Sequence, residues 1–198
     1  MKAPDAIFPH SQVFEIPLLR GDRQGQFVDL PVRAWGSVSR QRAFNGTWHF
    51  YIDDEKMTAL WKHPETLVQT RALNVVEPNF SISEQMPFPE AIHRIYKKRW
   101  LARYWQEHSI DIFVDLNVAD HYQDLNLLGV PDGWLSYATA SNDLRLETLE
   151  KHAELARKHA GVDIINLLVY GGHDKTAEVC AKNNWVHVRD AKNESRKV

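Results

Sequence analysis

The chain has 198 residues, 43% hydrophobic and 25% charged, with a formal net charge of −2 when histidine is neutral. That length supports one well-buried core, and the near-neutral balance excludes a global field drawing the protein onto DNA or an anionic membrane. No run approaches the roughly 18 apolar residues of a membrane helix, and the single Cys180 excludes an internal disulfide or a multi-cysteine metal site.

Residues 1–46 read as an N-terminal extension whose opening, MKAPDAIFPHSQ, lacks the apolar core of a secretory signal. Within it, VFEIPLL and QFVDLPVRAWG flank the turn-like RGDRQG and form either a β-hairpin or an arm around the domain. Pro17 and Pro31 would confine such strands to a sheet edge, because proline has no amide proton for a ladder.

An α/β domain is expected over residues 47–190. Its first strand is TWHFYI at 47–52, aromatic and β-branched after the turn dipeptide Asn45-Gly46. A short helix over 55–62 then ends before Pro64. A second strand at 73–76 leads to a long helix over 89–108, with Pro89 in its first turn and Ile92, Ile95, Ala102 and Trp105 near helical spacing. The strand 110–114, a polar loop over 117–125, a turn at Gly129-Val130-Pro131 and the strand 134–139 follow. Ser141, Asn142 and Asp143 offer N-caps for a helix to Lys158, with Gly161 as its closing residue. The wholly apolar strand 164–170 suits burial on both faces. A helix at 175–182 with Asp174 as its cap, a strand at 185–188 and a charged tail at 191–198 complete the chain. The alternation predicts a mainly parallel sheet of five to six strands covered by helices, either an open sheet or a partial barrel.

In parallel α/β folds, ligands bind beyond the carboxyl ends of the strands. Four groups of polar residues stand there: Glu77, Asn79 and Ser81; Asp115 and Asn117; Thr139 to Asn142; and Tyr170, Gly171, Gly172 and His173. Glu77, Asp115, Tyr170 and His173 are the catalytic candidates, with Asn79, Ser81, Arg99, Asn117, Gly171 and Gly172 around the substrate. A carboxylate ending a buried strand needs a partner, so Glu77 and Asp115 either pair with a base such as Arg99 or serve in acid–base or Mg²⁺ chemistry. No histidine or cysteine spacing marks a metal site. Gly171-Gly172 makes either a tight turn or a close backbone approach to phosphate.

The 89–108 helix carries Arg94, Lys97, Lys98, Arg99 and Arg103, with Tyr96, Trp100 and Tyr104 spaced by four. Arg94, Lys97, Lys98, Trp100 and Arg103 could neutralise phosphates and stack on bases, making nucleic acid a candidate partner. The same aromatics could equally widen the buried stripe.

The segments NVVEPNFSISEQMPFPE and DIFVDLNVAD, the helix between them, and GVPDGWLSYAT and LLVYGG downstream resemble an uncharacterised family of phages and other mobile elements, known only as a domain of unknown function. Glu77, Phe80, Ser81, Met86, Pro87, Arg99, Trp105, Gly129, Pro131, Tyr170 and Gly171 carry the resemblance, which covers residues 73–172 and leaves the first 46 unaccounted for. Members commonly carry Asp where this chain has Glu77. The resemblance implies no activity. It implies a mobile-element context, where replication, DNA processing and interference with host defence are common tasks.

Three functions follow as expectations for a cytoplasmic protein with no membrane partner. The first is an accessory protein contacting nucleic acid through the basic aromatic helix. The second is an enzyme using the carboxylate rim, with Mg²⁺ or general acid–base catalysis. The third is a module that binds a host protein or a small ligand.

Overall fold

The structure, a computed structural model, describes residues 7–36 and 44–190. Seven parallel strands form one sheet in sequential order: β1 (Val32–Ala34), β2 (Thr47–His49), β3 (Asn74–Val76), β4 (Asp111–Asp115), β5 (Ser136–Ala140), β6 (Asn166–Tyr170) and β7 (Val186–Val188). Between β2 and β3 lie α1 (Thr58–Lys62) and α2 (Glu65–Val68). The helix α3 (Phe88–Glu107) precedes β4, α4 (Gln123–Asn126) precedes β5, α5 (Leu146–Ala160) precedes β6, and α6 (Asp174–Lys182) precedes β7. The α/β class and the parallel sheet are as expected. The added strand is β1.

A sheet wound in one direction puts its crossover helices on one face, so the other face must curl over itself to be buried. It does so as a partial barrel. Val75, Ile112, Val114, Tyr137, Leu167 and Val169 point outward to the helices. Val76, Phe113, Ala138 and Leu168 point inward and meet Val28, Val32, Tyr51 and Tyr170. The curvature is tight enough that His49 on β2 and Tyr170 on β6 bring their ring centroids to 4.1 Å.

The N-terminal extension does not form a hairpin. Among its described residues the one strand, β1, pairs in parallel with β2, and residues 24–29 run beneath the barrel. Polar groups at the amino ends of the strands hold this segment there. Asn166 Nδ2 donates to the carbonyls of Gly25 and Gln26, both at 2.8 Å, and Ser136 Oγ donates to that of Gly25. Asn74 Nδ2 reaches the Phe27 carbonyl at 2.8 Å, and Thr47 Oγ1 reaches that of Asp29 at 2.8 Å. Gly25 is required because a Cβ would lie 2.2 Å from the Phe113 ring. The extension plugs the amino end of the barrel, which leaves the carboxyl end as its mouth.

The polar stretch expected as a loop after β4 contains a 3-10 turn (Asp120–Tyr122) and α4. The capping expectation also changes. Asp143 does not cap α5, which starts without a side-chain cap. Its carboxylate crosses instead to the start of α6, accepting the amides of His173 at 2.8 Å and Thr176 at 3.1 Å. The expected tail at 191–198 lies outside the described residues.

Candidate functional site at the barrel mouth

Strand parity decides where each mouth residue points. Val76 faces inward, so Glu77 turns outward under α3, whereas Val114 faces outward and Asp115 turns inward. From α3, Lys98 and Arg99 reach the two carboxylates, and all four residues are fully buried. Lys98 Nζ donates to Asp115 Oδ2 at 3.1 Å and to the Asp115 carbonyl at 2.9 Å, and lies 3.9 Å from Glu77 Oε2. Arg99 pairs with Glu77 Oε1 and donates to the carbonyls of Asn126 at 2.5 Å and Leu128 at 3.2 Å. Glu77 Oε2 accepts the Asp115 amide at 3.2 Å. Burial pushes the Glu77 carboxyl up from its ordinary value, and the Arg99 and Lys98 charges oppose that rise.

The network ends at a phenol. Tyr51 donates its hydroxyl to Asp115 Oδ1 at 3.2 Å, and the same oxygen accepts the Asn117 amide at 3.2 Å. Burial, then the Asp115 charge, hold the Tyr51 hydroxyl well above the usual phenol range, so it is protonated in the resting protein. Tyr51 stacks on Tyr170 with centroids 5.5 Å apart, and His49 packs against both rings. Tyr170 donates to Asp190 at 3.2 Å; burial, with help from the Asp190 charge, pushes it up to about 12. Burial lowers His49 to about 4, against the opposing Asp190 charge, so its ring is neutral near pH 7. Its Nδ1 accepts the Tyr51 amide at 3.4 Å.

A cleft of about 200 Å³ opens over the ends of β4 and β5, lined by Asn117, Ala140, Ser141, Asn142, Arg145 and Thr148. It adjoins the network through Asn117, whose amide is on Asp115 and whose Oδ1 accepts the Thr139 hydroxyl at 3.3 Å. Thr139 also contacts His152 Nδ1 at 2.7 Å, tying the cleft wall to α5.

Residues 8–150 match the family described as a domain of unknown function, DUF4417. The chain belongs to that family. It is 32% identical to the Gene 1 protein of Mycobacterium phage D29 over 111 residues, 53% of this chain and 40% of that protein. It is likewise 32% identical to the Gene 1 protein of Mycobacterium phage L5 over 112 residues, 53% of this chain and 47% of that protein. The chain therefore spans less than half the length of these curated relatives. No solved structure is significantly similar to it. The match begins at residue 8, so the family extends across the plug segment, which the sequence resemblance did not reach.

The expected site residues divide. Glu77, Asp115, Arg99, Asn117 and Tyr170 lie at the mouth, but Glu77 and Asp115 already face Arg99 and Lys98. This donor set does not fit a Mg²⁺ ion, since the positive charge that would attract the carboxylates is already supplied by the protein. Among the described residues no group of three or more His, Cys, Asp or Glu could hold a metal. His173 is exposed, and its backbone amide is taken by Asp143. Ser81 is held on the outer surface by Asp54, with its hydroxyl at 3.0 Å. Asn79 is half-buried. Gly171 and Gly172 take positive φ angles of 87° and 75° in a tight turn, where a Cβ would meet Ser141 at 2.7 Å and Thr176 at 2.2 Å.

The basic aromatic helix does not present the expected face. Lys98, Trp100 and Arg103 are buried, because α1, α4 and the N-terminal segment surround α3. Trp100 packs against Phe8 at 5.5 Å, and Arg103 lies 5.1 Å from the same ring and pairs with Glu107. Arg94 is partly exposed and is engaged by Asp54 at 3.0 Å and Glu90 at 2.8 Å. Lys97 lies 4.5 Å over the Phe80 ring.

Sequence reasoning missed Tyr51 and His49. Their signal was the alternation in TWHFYI: Trp48 and Phe50 face the helices, whereas His49 and Tyr51 line the barrel.

Proposed function

We propose that the chain is an enzyme, in the phage context of its relatives, that moves protons on a small polar substrate held at the barrel mouth. One observation carries this reading: a fully buried charge network, Glu77–Arg99 and Lys98–Asp115, ends in the Tyr51 hydroxyl among the inward-facing side chains. Burying ions costs several kcal/mol each, and apolar side chains of similar volume often stabilise a core as well or better. Oriented charge at strand ends is what proton transfer needs. The Tyr51 oxygen can take a proton from substrate as its own passes to Asp115, while Lys98 steadies the carboxylate. The rings of His49 and Tyr170 keep the phenol in place.

The test is turnover of a defined mixture of polar metabolites, followed by mass spectrometry. The expected result is a component consumed by the wild-type protein and converted about a hundredfold more slowly by Tyr51→Phe, the lower end of general acid–base effects. Tyr51→Phe should keep its thermal stability near wild type. An unchanged mixture, or a Tyr51→Phe protein as fast as wild type, overturns the reading. Nucleic-acid contact through α3 has less support, because Lys98, Trp100 and Arg103 would first have to leave the interior. A salt-dependent gel shift abolished by Arg94→Ala with Lys97→Ala would favour it over the enzyme reading.

A further inference from the structure

We infer that the cleft beside Asn117 is a subsite for the phosphate group of a phosphate monoester. The inference rests on the reading of the mouth as a substrate site, and supplies the substrate class. The lining contains two hydroxyls, Ser141 and Thr148, two amides, Asn117 and Asn142, one guanidinium, Arg145, and no carboxylate. Such a set donates hydrogen bonds and carries net positive charge, which selects an anion.

Three features show that these donors are uncommitted. Arg145 is exposed and has no ion pair among the described residues. The Ser141 hydroxyl is shielded from solvent and has no hydrogen-bond partner among the described residues, so a turn about one side-chain bond can bring it to a ligand. No side chain caps α5, whose first turn contains Thr148. Nearby carboxylates are occupied elsewhere: Asp143 by the start of α6, Glu147 by Lys151 at 3.2 Å, and Asp115 by Lys98 and Tyr51.

Size agrees with charge. A volume of about 200 Å³ is well above the roughly 10–15 Å³ that one water needs. It is below the roughly 300–1,000 Å³ of pockets that enclose drug-sized ligands. A phosphate group fits such a space while the rest of the ester lies over Ala140, which pairs in register with Tyr170. Reacting atoms would then lie toward the Tyr51 end of the mouth.

The experiment measures binding of inorganic phosphate and of phenyl phosphate to the full chain by calorimetry at low salt. Saturable binding of both is expected, weakened by at least about tenfold in Arg145→Ala, the loss of one charge-assisted contact. Thr148→Val should weaken it less, and Lys158→Ala, an exposed cation on the same helix, should leave it unchanged. The inference is overturned if the wild-type protein binds neither probe saturably, if Arg145→Ala binds as well as wild type, or if Lys158→Ala weakens binding as much as Arg145→Ala. Tyr51→Phe separates the two proposals. It should slow turnover about a hundredfold and leave phosphate binding intact, so failure of catalysis and failure of the subsite give different results.

Discussion

Replacing Lys98 with methionine keeps most of the side-chain volume but leaves the Asp115 carboxylate with no cation in contact. In the wild-type protein Lys98 donates two hydrogen bonds to Asp115, at 2.9 and 3.1 Å, and neither residue meets solvent. Removing one partner of a buried pair costs about 3–5 kcal/mol, because the other charge stays buried and uncompensated. Against a total stability of roughly 5–15 kcal/mol, that is a large share. For a domain of this length it corresponds to a fall in Tm of roughly 6–20 °C. Urea unfolding followed by tryptophan fluorescence should show a lower midpoint with an unchanged slope. The double variant Lys98→Met with Asp115→Asn removes the stranded charge, and should be more stable than the sum of the single losses predicts, by about 2 kcal/mol or more. A loss below about 1 kcal/mol in Lys98→Met, or a coupling near zero, would refute the account of Lys98 as the buried counter-ion of Asp115.

The remaining predictions concern other parts of the same architecture. His49 is held near pKa 4 in the folded state by burial, against about 6.5 when unfolded, so below pH 6.5 the unfolded chain binds the extra proton first. Its contribution, on the order of 3 kcal/mol, is present above about pH 6.5 and lost as pH falls toward 4; His49→Phe should flatten that limb of a stability–pH curve. Gly25→Ala should destabilise by about 1–3 kcal/mol through overpacking on Phe113, with partial recovery in combination with Phe113→Leu, as read by thermal melting. Asp143→Ala should cost about 1 kcal/mol by uncapping α6 and should raise amide exchange at His173 and Thr176; exchange confined to the start of α5 would contradict the crossing cap.

The alternation of apolar strands with amphipathic helices was enough to predict a parallel α/β sheet, because short crossovers between strands on one chain admit few other arrangements. Period and connection length are local properties, and a sequence carries them openly. For the same reason, the grouping of Glu77, Asp115, Asn117 and Tyr170 on one rim could be read from their places after three apolar runs. That α3 meets the strand ends was read only as far as Arg99, offered as a partner for Glu77 or Asp115 and found on Glu77; Lys98 as the counter-ion of Asp115 was not. Lys98, Arg99 and Arg103 look like a solvated face in a linear sequence, and they are buried because segments distant in the chain surround the helix: Phe8 on one side, Trp61 on another, Asn126 and Leu128 above.

By itself, then, the sequence determined the class of fold, the direction of the strands and the rim on which polar residues gather. Tertiary structure decided the rest. It determined that the N-terminal segment plugs the barrel, that Asp143 serves α6, and that Glu77 and Asp115 turn to opposite sides of adjacent strands. It also brought Tyr51, just beyond β2, to Asp115 on β4, a meeting that depends on sheet curvature. The physical reason is one of range. Hydrogen bonding and periodicity act over a few residues, whereas the partner of a buried charge is set by which elements the closed core brings together.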